Sequence, residues 1–583
     1  MKFILSFIVS VVLSTLILTG CGSEPITKNV TPEKYNPSLT QIINEFKIDF
    51  TYRKLKFNIP HGSKVDSIET DTLKKTIKID LNDNFSYQPF RTENVNAIYS
   101  EVKNIFGSKF SDYSYSILSL KRPIEELIPN YYRADTSKYD NTRLPVNMNA
   151  RPTPVVKNMS KEYVPSNGLF GKNMVVWPSH GWYYDSKEGR WEWQRPRLFQ
   201  SVEDVLPLSF VVPYLMPMLE NAGAIVFDPR ERDIQKYSVV VDNDSPSDIK
   251  LKHYIEKSPD KKNRWKEGGV GFSAGNPPYP SGYNPFVKGT SRIIIADSTG
   301  LASVSWVPDI PAEGEYVVYV AYSASMDNAP DVEYTVFHSG IKTVYKVNQQ
   351  VGGSTWIYLG EFRFDKGYNT EKDKVVLSNK SGEPGKIISA DAVRFGGGEG
   401  IIERGGTTSG RPKVFEAARY YLQYAGMPDT LVYDLDHDSS DYADDYKSRG
   451  EYVNYLYGKP FGPNVDRDVK GLSIPVDLSL AFHTDAGISH NDTTVGTLAI
   501  YSIPDAKMKD VFPDGTSRFA NRDLADIIQT QIVNDIRAKY DSTWARRQLK
   551  SSDYSEVVRP NVPSVIIELL SHQNFNDMKF ALD

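Results

Sequence analysis

The middle of this chain breaks the pattern of the residues on either side of it, and this break limits how the chain can fold. Signals for short strands and helices alternate in residues 171–236 and again in residues 401–583. Between them, residues 237–400 carry apolar side chains at period two, in short runs bounded by Gly, Pro and Asn, which is typical of an all-β sandwich. We therefore predict an α/β domain, a twisted sheet with flanking helices, that is interrupted by an inserted sandwich.

The N-terminal part of the chain indicates a separate, smaller unit. Residues 41–135 combine strand-like alternation at Thr76–Leu81 with helical spacing of apolar residues at 94–106, which predicts a small α+β accessory domain. Residues 136–170 are rich in Pro, Asn and Arg and are predicted to be a linker.

Composition narrows the classes of partner and cofactor. Lys plus Arg number 68 and Asp plus Glu number 73, a net charge of −5 with no basic block, which argues against nucleic acid as a partner. The chain has one Cys and eight His. An intrachain disulfide and a thiolate zinc cluster are therefore excluded, and a metal ion would have to be bound by His, Asp or Glu.

The single cysteine lies where an export signal would end. Lys2 precedes an uncharged apolar run at residues 3–18, and the sequence Leu-Thr-Gly-Cys then ends at Cys21. This order resembles the bacterial lipobox, in which the signal is cut before a cysteine that carries a diacylglycerol. It implies a signal peptide at residues 1–20, lipidation of Cys21 and a lipid-anchored location in the bacterial cell envelope, facing the periplasm or cell surface. The alternative is a transmembrane anchor, for which the run is short. Residues 21–40 carry Pro, Ser, Thr and Asn with little apolar pattern and are predicted to be a tether.

Three polar residues stand at the ends of apolar runs in the predicted α/β domain. His180, His483 and Glu568 each follow a short apolar run that reads as a buried strand. Ligands and catalytic groups gather at the carboxyl ends of strands in open α/β sheets. Two imidazoles and a carboxylate at one sheet edge are the groups that a metal hydrolase uses.

A catalytic zinc ion needs three protein ligands and one open position, so a further carboxylate is required if Glu568 is to move protons. Glu203 is the best placed, because Ser201 would cap a helix that begins beside it. Asp204 replaces it if the register differs by one residue. Ordinary interpretations stay open: the histidines could be turn residues and Glu203 a first-turn carboxylate favoured by the helix dipole, whereas a buried Glu568 is costly without compensation.

These four residues belong to a series of short motifs along the chain. In chain order the set is His180-Gly181, Glu203, Ala222-Gly223-Ala224, Arg230 with Asp233, Arg449 with Asn454, His483-Thr484-Asp485-Ala486 and Pro563-Ser564-Val565-Ile566-Ile567-Glu568. This order resembles the zinc-dependent N-acetylmuramoyl-L-alanine amidases of bacterial cell walls. The resemblance implies an amidase-type α/β fold, one Zn²⁺ per chain bound by His180, Glu203 and His483, and Glu568 as the catalytic acid/base. It implies peptidoglycan as substrate, with candidate substrate-binding or supporting residues at Arg230, Asp233, Arg449, Asn454, Asp485 and Asn574.

One departure from the family pattern affects the loop before His180, and another affects the assignment of Glu203. Trp177-Pro178-Ser179 stands where the family usually has Asp-Pro-Gly before its first His-Gly, and the spacing from His180 to Glu203 is longer than usual. The unusual loop motivates an alternative, in which the amidase-like core is inactive and the protein is an envelope lipoprotein that binds glycan.

The inserted segment resembles a different family. It begins with Val-Val-Asp-Asn-Asp at residues 240–244 and ends with Ile-Ser-Ala-Asp-Ala-Val-Arg-Phe at residues 388–395, similar to the carbohydrate-binding-like domain shared by golvesin and xanthan lyases. Its Tyr and Trp residues could stack on sugars or pack in the core. Asp242 and Asp244 could bind Ca²⁺ or form a turn. A protein related to polysaccharide lyases is a further alternative, suggested by the sandwich alone.

Overall fold

The structure is a computed structural model of the chain, and it describes residues 38–145, 153–161, 165, 168–198, 201–244, 251–261, 263–460, 468–489 and 493–582. The predicted signal peptide, Cys21 and most of the predicted tether lie outside these residues. Within the described ranges, every helix is too short or too polar to cross a membrane.

The N-terminal residues form a small α+β unit around their own apolar core. Ser38 caps the first helix: its hydroxyl accepts the N–H of Gln41 at 3.3 Å while the Gln41 side chain accepts the N–H of Ser38 at 2.7 Å, a capping box. The helices of this unit are Leu39–Thr51 and Thr92–Phe106, and its sheet contains, in spatial order, Val65–Asp71, Thr76–Leu81, Ser114–Ser119 and Arg122–Pro123.

The inserted segment is a β-sandwich, as its period-two pattern predicts. Alternate residues of its strands are buried, as in Val332–His338, because successive side chains of a strand point to opposite faces. A six-stranded sheet contains, in spatial order, Tyr254–Lys257, Ser303–Trp306, Lys374–Ser378, Val332–His338, Ile341–Val347 and Val156–Asn158. The other strands of the segment are Val239–Val241, Val393–Phe395, Gly314–Val320 and Ile357–Phe364 in one sheet, Lys266–Gly271, Gly289–Ile295 and Ile387–Ala390 in another, and the short pair Asp309–Ile310 and Gly367–Tyr368.

One strand of the six-stranded sheet comes from the predicted linker. Val156–Asn158 pairs antiparallel with Ile341–Val347 at the sheet edge, with Lys157 opposite Lys346. The prediction of a linker at residues 136–170 is therefore wrong at this point. Three residues are too few for a period-two pattern to be recognised in the sequence.

Strands from the chain segments before and after the sandwich join in one sheet. Its spatial order is Lys550–Ser551, Leu498–Tyr501, Ser564–Ser571, Leu478–Asp485, Asn173–Pro178 and Ile225–Phe227. The last four strands of this order run parallel to one another, and Leu498–Tyr501 is antiparallel to Ser564–Ser571. The central strands are buried on both faces, as expected for a parallel sheet covered by helices.

Helices pack on both faces of this sheet. Phe519–Lys539 and the segment around Met216–Asn221 cover one face, and Ala418–Tyr424 and Asp441–Tyr457 cover the other. The other α-helices in the described part of this domain are Leu208–Phe210, Ser555–Val558 and Phe575–Leu582, and a π-helix spans Asp429–Tyr433. The hairpin Trp182–Asp185 with Arg190–Trp193 lies outside the sheet.

The helix predicted after Ser201 begins later than expected. Its first residue is Leu208, with Pro207 at the N-cap, and a π-helical turn at Val211–Leu215 interrupts it before Met216–Asn221. The prediction that Ser201 caps it is wrong, because Ser201 instead exchanges two backbone hydrogen bonds with Leu198, each 2.9 Å. Proline lacks an N–H and is tolerated at the start of a helix, so Pro207 directly precedes the first helical residue.

The sandwich and the α/β domain share a buried polar junction. Arg394, from the last strand of the sandwich, pairs with Glu231 of the α/β domain, and both side chains are fully buried. Tyr319 donates to Glu231 at 2.8 Å. A single apolar core also includes residues from both parts.

Candidate metal centre

The structure brings His180, Glu203 and His483 together. His180 follows strand Asn173–Pro178, and His483 lies in the neighbouring strand Leu478–Asp485. Glu203 Oε1 lies 3.3 Å from His180 Nε2 and 3.0 Å from His483 Nδ1. Three candidate ligand atoms, one from each residue, lie within 4.8 Å of one another.

The three residues have the donor atoms and spacing that a zinc ion requires. Two imidazole nitrogens and one carboxylate oxygen are a common ligand set of catalytic zinc sites. Ligand atoms about 2.1 Å from a tetrahedral ion lie about 3.4 Å apart, close to the two separations from Glu203. The site is also well shielded, since His180, Glu203 and His483 are 5%, 7% and 4% exposed. The residues present therefore fit the metal that the amidase resemblance implies.

Charge is unevenly shared between the two imidazoles. Burial lowers the pKa of His180 to about 4. Burial also opposes charge on His483, but Glu556 and Glu203 overcome this effect and raise its pKa to about 10. Burial acts to raise the pKa of Glu203, yet both histidines hold it well below its usual range. Glu203 is thus an anionic carboxylate between two rings.

The neighbouring Asp204 does not take this position. Its two carboxylate oxygens accept the backbone N–H groups of Gln194 and Arg195, each at 3.0 Å. Of the two acidic residues that the sequence offered, Glu203 is the one that faces the histidines.

Glu568 lies on the strand next to His483. It sits within Ser564–Ser571, directly opposite His483 in the parallel register, and not at the strand end as predicted. Burial raises its pKa to about 8, and within the described part of the chain its buried Oε2 has no hydrogen-bond partner. An unpaired buried carboxylate oxygen is costly, which points to a role toward a substrate or water.

These residues line one cavity of about 570 Å³. Besides His180, His483, Glu203 and Glu568, the charged and aromatic residues that line the cavity include Arg195, Tyr442, Tyr446, Asp485, Tyr554 and His572. The cavity therefore combines aromatic and charged surfaces beside the candidate metal ligands.

The unusual loop before His180 is held by several contacts. Ser179 has a positive φ of 34°, and its hydroxyl donates to Glu203 Oε1 at 2.9 Å. Arg230 donates to the carbonyl oxygens of Pro178 and His180. A Cβ on Gly181 would lie 2.6 Å from the backbone nitrogen of Ala417, so only glycine fits there.

One residue at the site is not among those predicted from the sequence. Glu556, in the short helix Ser555–Val558, lies 3.1 Å from His483 Nε2. Trp177 Nε1 donates to it at 2.6 Å and Arg449 Nη1 at 2.9 Å. No spacing in the sequence marks Glu556, because its position arises from the packing of distant segments.

The other predicted site residues fall into two groups. Arg449 is at the centre, with Nη2 3.4 Å from His180 Nδ1, while Asp485 lines the cavity and pairs with Arg547 at 2.6 Å. His572 also lines the cavity, and its Nδ1 is 3.1 Å from the Thr484 hydroxyl.

Four predicted residues act elsewhere. Arg230 supports the backbone beside His180 and does not line the cavity. Asp233 accepts the N–H of Val317 at 2.8 Å and belongs to the junction with the sandwich. Asn454 bonds the backbone of Arg559 and Asn561, and Asn574 donates to Ser489 and Thr493. Asp233, Asn454 and Asn574 do not line the cavity, since a motif match gives chain order and not side-chain direction. Their assignment as substrate-binding or supporting residues stays a prediction.

Aromatic residues of the sandwich are largely part of its core. Trp265, Trp306 and Trp356 are 3%, 0% and 6% exposed, so they pack inside and offer no face for sugar stacking. Asp244 accepts from the Thr290 hydroxyl at 2.7 Å, as in a structured turn, and Asp242 and Asp244 are not among the three-residue metal-ligand groups found in the described residues. Calcium binding there stays a prediction.

Comparison with known proteins identifies the type of sandwich. Residues 283–397 match the model of the Golvesin C-terminal domain. A 97-residue segment is 32% identical to the xanthan lyase of Bacillus sp. (strain GL1), covering 16% of this chain and 10% of that enzyme. Similar solved structures include a xanthan lyase from Paenibacillus, with 22% identity and a TM-score of 0.20 over 29% of this chain and 13% of the other. Another is the C-terminal CBM6 of LamC from Zobellia galactanivorans, with 11% identity and a TM-score of 0.17 over 27% of this chain and 99% of that module.

These matches confirm the predicted resemblance of the sandwich to the carbohydrate-binding-like domain of golvesin and xanthan lyases. The family model matches inside the sandwich, and the chain spans only a tenth of the curated lyase. The amidase resemblance of the α/β domain stays a prediction.

Proposed function

We propose that this protein is a zinc-dependent amidase of the bacterial cell envelope, which hydrolyses the amide between N-acetylmuramic acid and L-alanine in peptidoglycan. One observation carries the proposal: His180, Glu203 and His483 present three ligand atoms around one point, with the buried Glu568 on the adjacent strand. The order of motifs in the sequence supports the choice of substrate.

The residues divide the chemistry between them. A zinc ion bound by His180, Glu203 and His483 would polarise the substrate carbonyl and lower the pKa of its water. Glu568, desolvated and with Oε2 lacking a partner among the described residues, is suited to accept a proton from the attacking water. It would then donate one to the leaving nitrogen.

The cavity suits a glycopeptide. Tyr442, Tyr446 and Tyr554 line it and could contact the muramyl ring, since aromatic side chains pack on sugar faces. Arg195, which also pairs with Glu203 at 3.5 Å, supplies positive charge for a stem-peptide carboxylate.

The other parts of the chain would keep the enzyme near its substrate. The sandwich, which resembles carbohydrate-binding domains, would hold glycan close to the α/β domain and raise the effective substrate concentration. A lipid on Cys21 would anchor the protein to the membrane and place it in the envelope.

The direct test is digestion of purified peptidoglycan by the purified protein, with products identified by mass spectrometry. The proposal predicts free stem peptides that begin with L-alanine and glycan strands with unsubstituted lactyl groups. Products with unsaturated uronic ends, released from an acidic polysaccharide, would instead support the lyase-related alternative.

A second candidate function is glycan binding without catalysis, favoured by the sandwich match. It predicts that the protein sediments with insoluble peptidoglycan but releases no peptide and holds no zinc. Zinc content of the purified protein separates the two candidates before any activity is measured.

A further inference from the structure

We propose that Glu556 is a positioning residue of the metal centre, which fixes the tautomer and orientation of His483 from behind. The inference rests on the proposed zinc site but not on the identity of the substrate.

The two ring nitrogens of His483 face two different carboxylates. Nδ1 lies 3.0 Å from Glu203 Oε1, on the side of the candidate ligand atoms. Nε2 lies 3.1 Å from Glu556 Oε2 and 3.3 Å from Glu556 Oε1. The ring is therefore held between the metal-ligating side and a second acidic group.

This arrangement selects one tautomer. A neutral imidazole has one N–H and one lone pair, and a metal ion needs the lone pair. With a metal ion on the Nδ1 side, Glu556 accepts the N–H at Nε2, and the lone pair of Nδ1, the nitrogen nearest Glu203, faces the ion. Without the ion, the carboxylates on both sides favour a proton on each nitrogen. Carboxylates behind metal-binding histidines act in this way, and their loss typically weakens metal binding by about 10- to 100-fold.

Glu556 is itself held in place. Trp177 Nε1 donates to its Oε1 at 2.6 Å and Arg449 Nη1 at 2.9 Å, and Trp177 and Arg449 are fully buried. Arg449 also pairs with Asp445. A carboxylate fixed by two donors from separate segments can hold a ring in one orientation, whereas a solvated one could not.

A plain ion pair is the competing explanation. With both nitrogens protonated, His483 would be an imidazolium bridging two carboxylates, and Glu556 would stabilise the fold without any role toward a metal. The two explanations differ in the protonation of Nδ1 when zinc is added.

The experiment uses the full chain with ¹⁵N-labelled histidine and zinc ions as the probe. Nitrogen chemical shifts of His483, assigned with His483→Gln, report which nitrogen carries the proton. We expect the zinc-loaded wild type to show a protonated Nε2 and a metal-bound Nδ1. A zinc-loaded protein with zinc on Nε2, or with His483 doubly protonated, would overturn the proposal.

Zinc affinity, measured by competition with a chelator, provides the second readout. Glu556→Gln should weaken zinc binding by about 10- to 100-fold while keeping one site per chain, and Glu568→Gln should not weaken it to that extent. Trp177→Phe keeps the Glu556 carboxylate but removes one of its hydrogen-bond donors, and it should weaken zinc binding several-fold. This variant takes the place of Glu556→Gln in the test if Glu556→Gln does not fold. Unchanged affinity in the folded variant contradicts the positioning role.

The outcomes separate this inference from the proposed function. A wild type that binds zinc through His483 Nδ1 but leaves peptidoglycan intact would refute the amidase and retain the role of Glu556. Hydrolysis of peptidoglycan by the wild type, together with unchanged zinc affinity in Glu556→Gln, would retain the amidase and refute the role of Glu556. A wild type without zinc binding would refute both.

Discussion

Glu568 and His483 lie directly opposite each other on neighbouring parallel strands. Because the side chains of paired residues in a sheet point to the same face, the register delivers the candidate acid/base beside a candidate metal ligand. The sheet therefore sets their relative position, and a one-residue slip of either strand would separate them.

Glu568→Gln tests proton transfer. The amide is close in shape to the carboxylate but cannot accept a proton, so peptidoglycan hydrolysis should fall by about 10²- to 10⁴-fold. Zinc content should stay near that of wild type, because Glu568 is not among the three candidate ligands. Activity close to that of wild type would show that another group moves the protons.

Removal of zinc should destabilise the folded protein. A ligand that binds only the folded state at a free concentration 100 times its Kd stabilises that state by about 2.7 kcal/mol. A chelator should therefore lower the Tm of the wild type measured by thermal unfolding, and added zinc should restore it. His180→Ala serves as the control, since its Tm should not respond to zinc; an equal response would place the zinc elsewhere.

The junction between the sandwich and the α/β domain should matter for stability. Arg394→Met leaves Glu231 buried without its partner, and breaking a buried pair typically costs about 3 to 5 kcal/mol. Denaturant unfolding should show a large loss of stability. The matched control is Arg363→Met, which breaks the exposed pair with Glu313 and should have no measurable effect; equal effects would mean that the junction adds nothing.

Asp391 should make stability depend on pH. Burial raises its pKa to about 7, compared with about 3.9 in an unfolded chain. Between these values the folded state binds more protons, so this contribution to stability falls as pH rises, by at most about 1.4 kcal/mol per pH unit.

The Tm of Asp391→Asn should therefore fall less between pH 5 and pH 8 than the Tm of the wild type. Part of the dependence should remain, because burial, the largest cause that raises the pKa of Asp242 to about 8 in the wild type, still acts when the charge of Asp391 is removed. Identical pH dependence in wild type and variant would contradict the assignment to Asp391.

The sequence predicts best where a signal is local. His180, Glu203, His483 and Glu568 could be identified from apolar runs and motif order, and the structure places all four at one cavity. The sandwich could be recognised from period-two alternation. These features depend on residues that are close in the chain.

Features that depend on packing between distant segments could not be predicted. Glu556 meets His483, Trp177 and Arg449 only in three dimensions. The short strand Val156–Asn158 exists because the edge of the sandwich is available to pair with it. Asp233 matched a motif, but the inserted sandwich brings the N–H of Val317 to it, and this contact could not be inferred from the motif.

The most direct test of the account is X-ray anomalous diffraction at the zinc absorption edge, from crystals of the purified full chain. We expect one strong peak between His180 Nε2, His483 Nδ1 and the carboxylate of Glu203. The absence of a peak there in zinc-loaded crystals, or a peak bound by other residues, would contradict it.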